Sequence, residues 1–189
     1  MSQNAGFGSD HDDSRDEEKV LGKSPTELVL CFISCPQDAA RNFVGAILVT
    51  DASGRPLEFA FVEPVRPSQM QRILYGKTLE EHVRIDVIAN KLLQGNSNVP
   101  DVIFVDADEL LPMRRIVQIP VARLSKSDNS GTDSTKLSTL TYSTGGRRDD
   151  EELVGQVIGH LEPLIDLIEP FNRITEALKE SGRAQGKPS

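Results

Sequence analysis

The sequence predicts a mixed α/β (α+β) domain. A five- or six-stranded sheet with a β-meander carries a central helix pair and a long C-terminal helix packed on it. Three observations predict this. Apolar runs of strand length recur at "TELVLCFIS" (26–34), "FVGAILVTD" (43–51), "LEFAFVE" (57–63) and "PDVIFVD" (100–106). A stretch with helical spacing, 68–94, separates the third run from the fourth. Beyond residue 149, Val157, Leu161, Leu164, Ile168 and Phe171 recur at steps of three and four.

The first run reads as a mostly apolar strand. The second is apolar throughout, which suits a strand buried on both faces. The third alternates, with Leu57, Phe59 and Phe61 on one side and Glu58, Ala60 and Val62 on the other, as in a strand with one better-buried face. "DASGRP" joins the last two as a hairpin. Asp51 accepts backbone N–H groups of its own loop, and Gly54 supplies a positive φ. This places Asp51 and Glu63 at opposite ends of the hairpin, about 20 Å apart.

Two prolines in "EPVRP" take the chain out of the sheet. "SQMQRILYG" (68–76) is a short helix ending at Gly76. Thr78 and Glu81 form a capping-box pattern that opens a second helix over 79–94, stopped by Gly95. The fourth run follows a helix and is expected to lie parallel to an early strand. "RIVQIPVARL" (115–124) reads as a strand with Pro120 at an edge or bulge, and "LSTLTYS" (137–143) as a last one. "LEPL" and "IEPF" repeat seven residues apart, so the C-terminal helix is expected kinked or broken on the sheet. The helices over 68–94 and the C-terminal helix are expected on one face.

The chain of 189 residues suits one domain, 26–178, with a flexible loop at 125–136 and disordered tails at 1–25 and 179–189. Its formal charge of −8 argues against a general nucleic-acid coat or an acidic-membrane binder. No run approaches the ~20 apolar residues of a membrane span. Cys31 and Cys35 lack a second cysteine pair and read as free buried thiols of a cytoplasmic protein, with no metal site.

Acids cluster at strand ends: Asp51, Glu63, Asp106 and Asp108. The meander, helix and following strand over 26–106 resemble the front half of RNase H-like nucleases. That resemblance implies a metal-dependent phosphodiesterase or nuclease, with Asp51, Asp106 and Asp108 as carboxylates for Mg or Mn. "ELVLCFIS" departs from it in having no central Asp. Asp51 and Asp106 meet only if their strands are parallel neighbours. A third class is anion or nucleotide sensing at "STGGRRDDEEL" (143–153), where Gly145, Gly146, Arg147 and Arg148 precede a helix. Asp149 and Asp150 compete for the same spot.

Arg66, Arg72, Lys77 and Arg84 gather around Tyr75 in the most basic part of the chain and mark a candidate interaction surface. The hairpin "AILVTDASGRPL" (46–57) is similar to that of roadblock and profilin-like scaffolding modules. The long apolar stripe of the C-terminal helix, beside an absence of reactive constellations, makes the leading expectation a noncatalytic binding or assembly module without cofactor, with a homodimer as one form. It engages a protein partner, or itself, through the C-terminal helix or a sheet edge.

Overall fold

The structure is a computed structural model that describes residues 22–126 and 140–185. Six strands form one mixed sheet in the order β3-β2-β1-β4-β5-β6. They are β1 (Val29–Ser34), β2 (Phe43–Asp51), β3 (Pro56–Val65), β4 (Val102–Val105), β5 (Val121–Lys126) and β6 (Leu140–Thr144). The first three form the predicted antiparallel meander. β4 lies parallel to β1, and β5 parallel to β4. β6 closes the far edge antiparallel to β5.

Helix α1 spans Gln69–Tyr75. Its cap is Ser68, whose Oγ accepts from Gln71 N–H while Gln71 Oε1 accepts from Ser68 N–H. Gly76 ends it at φ +52. After a 3₁₀ turn comes α2, a continuous helix built of Leu79–Glu81, His82–Ala89 and Asn90–Gly95. Its middle is π-helical: the N–H of Asn90 reaches back five residues to the carbonyl of Ile85. The expected Thr78 cap does not form. Thr78 Oγ1 donates instead to Tyr75 O, because the turn before it is already helical.

Alternation along the strands splits the core in two. Leu30, Phe32, Ala46, Leu48 and Phe104 face α3 (Arg148–Leu161) and α4 (Glu169–Gln185). Cys31, Ile33, Ile47, Val49 and Ile103 face α2 and the 3₁₀ stretch Asp108–Arg115. The helices therefore cover opposite faces, where one face was expected. Phe32 sits at the centre of its layer, with Phe104 and Phe171 each 5.5 Å away between ring centroids.

The C-terminal helix is broken at 162–168, with Pro163 in the gap and Pro170 in the first turn of α4. Most of its apolar stripe packs on the sheet: Val157 and Leu161 are fully buried and Phe171 is buried, while Leu164, in the gap, is 69% exposed. α4 continues to Gln185, past the predicted tail boundary at 179, since Ile174 and Leu178 still pack on the core. The fifth strand starts only after Pro120: of the expected 115–124, Arg115 ends the 3₁₀ stretch Asp108–Arg115 and 116–120 run as turn and bend instead of extending. The N-terminal tail expected for 1–25 lies largely outside the described residues. From Lys23 on, the chain is anchored, with Nζ 2.7 Å from Asp101 Oδ1. Residues 127–136 of the predicted loop also lie outside the described residues, while Ser125 and Lys126 belong to β5. No helix among the described residues is long and apolar enough to cross a membrane.

Candidate functional site

The two acids of the hairpin occupy opposite rims of the sheet. Asp51 pairs with Val29 at the start of β1. Glu63 follows Val62, which pairs with Gly45 near the other end of β2. Asp51 Oδ1 accepts from Ser53 N–H (2.9 Å), Ser53 Oγ (2.6 Å) and Arg55 N–H (3.0 Å). Those bonds, the Ser53 hydroxyl first, hold its pKa below the usual carboxylate value. Asp51 acts as the brace of its turn, and Gly54 takes φ +79 beside it.

Asp106 leaves β4 at the opposite rim, next to the end of β1. β2 is antiparallel to β1 and is not a neighbour of β4, so Asp51 and Asp106 cannot meet. Ser34 Oγ donates to Asp106 Oδ2 at 2.5 Å. One side of Asp106 is open to solvent, yet protein packed around its carboxyl pushes the pKa up, against the opposing Ser34 bond. Asp108 turns away from Asp106. It lies 3.2 Å from Arg123 Nη1 and 3.5 Å from Ser143 Oγ. The three candidate carboxylates thus have three separate sets of partners. Among the described residues, no three His, Cys, Asp or Glu side chains gather as a metal-binding group.

Arg84 is not on the basic surface expected for it. Its side chain is 12% exposed, donates from Nη1 to Cys35 O and lies over the Phe43 ring at 5.3 Å. A charged residue reads as exposed in sequence, but here a carbonyl and an aromatic face lie within its reach. Cys31 and Cys35 are buried free thiols; burial pushes Cys35 up to about 12. Neither is primed as a nucleophile.

Gly145 and Arg147 line a cavity of about 450 Å³ together with Asp108, Leu111, Arg114 and Arg115. Two of its arginines are already engaged. Arg114 bonds Asp150 through Nε (2.7 Å) and Nη2 (3.2 Å), and Arg115 pairs with Glu81 and Asp86. Gly146 adopts φ +86, and Arg148 opens α3. Asp150, expected to compete with an anion, is buried against Arg114.

The remaining members of the basic cluster surround a different feature. α1 has no buried residue. Met70, Ile73 and Leu74 are 63, 66 and 73% exposed. Arg66, Arg72 and Lys77 are exposed beside them, and no acid occurs in the chain between Glu63 and Glu80. Tyr75 stacks on His82 with centroids 4.2 Å apart.

β3 supplies a second bare surface. Val62 is buried, but Leu57, Phe59 and Phe61 are 45, 40 and 42% exposed. The better-buried face of β3 is the one carrying Glu58, Ala60 and Val62. Glu58 is held there by Ser97 N–H (3.0 Å) and Asn98 Nδ2 (2.8 Å). Sequence reasoning did not single out Ser34, Glu58 or the Arg114–Asp150 pair, whose partners lie far along the chain.

No family model matches the sequence, and no curated protein matches it. Two solved structures illustrate the likeness found. Marinitoga piezophila Argonaute in complex with a guide RNA aligns at TM-score 0.38 and 12% identity, over 75% of this chain and 26% of that one. Ciona intestinalis endonuclease V in complex with inosine-containing DNA aligns at TM-score 0.32 and 9% identity, over 52% of this chain and 46% of that one. The chain spans less than half the length of each. Likeness at this level carries no functional argument.

Proposed function

We propose that this chain is a noncatalytic binding module of the cytoplasm that engages a protein partner through α1 and its basic flanks. One observation carries the reading: a seven-residue helix holds three large aliphatic side chains about two-thirds in solvent. Completing the burial of each would contribute about 1–2 kcal/mol, roughly two-thirds of the value for a fully exposed side chain. A helix this short is marginal without packing. A partner surface supplies that packing. Arg66, Arg72 and Lys77 then favour an acidic, amphipathic segment over a basic one. Nucleic acid fits less well, since α1 offers a single aromatic, Tyr75, for base stacking and the whole chain is acidic.

A photo-reactive residue placed at Leu74 in the native cell tests this. The expected result is one discrete adduct, lost when Arg72→Glu is added and absent from the same probe at Lys91. No adduct at Leu74 would contradict the reading. The metal-dependent alternative has its own test: Mn²⁺ titration by calorimetry. We expect no heat that Asp106→Asn abolishes; such heat would favour the nuclease.

A further inference from the structure

We propose that the outer edge of β3 pairs antiparallel with the same edge of a second copy of this chain, about a two-fold axis at Ala60. This goes beyond the α1 reading and does not depend on it. β3 is first in the strand order, so its outer edge has no strand partner among the described residues. Sheet edges are commonly guarded by lysine, proline or a bulge. The stretch Leu57–Glu63 contains neither lysine nor proline.

The guards stand outside it, and they are symmetric. Pro56 and Pro64 lack an N–H, so a ladder stops at both. Both are four residues from Ala60. The regular pairing of β3 with β2 runs Glu58–Val62, with register shifts beyond each end. It too is centred on Ala60.

A two-fold axis there sets Phe59 opposite Phe61 of the second copy, and Phe61 opposite its Phe59. Leu57 meets Glu63, and Glu58 meets Val62. No carboxylate directly faces another, which like-charge repulsion would penalise. Arg55 lies diagonally from Glu63 of the second copy. Phe59 and Phe61 already contact within one chain, at 6.2 Å between centroids and 34° between planes. Pairing joins two such couples into a four-ring cluster. Phe61 also lines an apolar groove of about 370 Å³ with Val44, Pro64 and Leu178. A foreign strand would need none of this self-complementarity, so the pattern selects a second copy.

Sedimentation equilibrium of the full chain, from low micromolar to near-millimolar, reads the result. We expect reversible dimerisation, with a dissociation constant raised at least ~10-fold by Phe59→Lys and Phe61→Lys, and unchanged by Leu74→Glu. Circular dichroism checks that the lysine variants fold. Independently of them, Ala60→Cys should give a covalent dimer on mild oxidation, while Ser53→Cys in the turn should not. A monomer at every concentration overturns the proposal. So does a dimer that withstands both lysine variants and leaves Ala60→Cys uncrosslinked.

Discussion

β3 and β6 bound the same sheet, but they meet solvent differently. β3 runs for ten residues and leaves Leu57, Phe59 and Phe61 two-fifths exposed. β6 runs for five, "LTYST", and spends its polar side chains locally. Thr141 and Ser125 share a hydroxyl–hydroxyl bond of 2.7 Å, and Tyr142 Oη donates to Glu151 O at 3.4 Å. A short, hydroxylated edge is stable in water. The β3 edge keeps apolar area that water does not reward. The difference teaches that exposure on this sheet is local. α4 packs on β1 and β2 and meets β3 only along the groove beside Phe61, so this edge keeps apolar side chains in solvent.

The comparison breaks first at the β6 side, where a buried ion pair joins the 3₁₀ stretch to α3. The side chains of Arg114 and Asp150 are 14 and 6% exposed. Asp150→Ala leaves a buried guanidinium uncompensated, and urea denaturation should show a loss of about 3–5 kcal/mol.

Close packing sharpens it next. A Cβ added at Gly45 would collide with Ile88 Cγ2, deep between β2 and α2. Gly45→Ala should cost about 1–3 kcal/mol by the same assay. The matching site beside β6 is Gly155, where a Cβ meets Tyr142 Oη at 2.7 Å. Tyr142 is partly exposed and can swing outward, so Gly155→Ala should stay within about 1 kcal/mol.

The smallest effects come from the two rim acids, and their signs oppose. Asp106 has a raised pKa in the folded state, so native stability falls as pH rises from the ordinary carboxylate value through the raised one. Asp106→Asn should therefore gain stability relative to the parent at neutral pH and lose that gain in acid. Asp51 has a lowered pKa, so its contribution is present above the ordinary value and is lost as pH falls through the lowered one. Asp51→Asn should lose stability at neutral pH, with the difference closing in acid. Urea midpoints across pH 2–8 distinguish the two variants.

Local physics made much of this fold legible. The hairpin was readable because Asp51 and Gly54 specify their own turn, and the meander because strand alternation is a local pattern. Ser68 and Gln71 were equally local and could have been read as the α1 cap. What escaped depended on distant partners. Arg84 finds Cys35 O from 49 residues away, and Ser34 finds Asp106 from 72. The exposed side of β3 was hidden for a related reason. Alternation shows that its faces differ, but which one is covered depends on where α4 lands.

Amide exchange measured at low micromolar and near-millimolar protein tests most directly whether the bare β3 edge is a binding surface. The account predicts slowed exchange within 57–63 at the higher concentration, with β6 unchanged. Equal rates in β3 at both concentrations would contradict it.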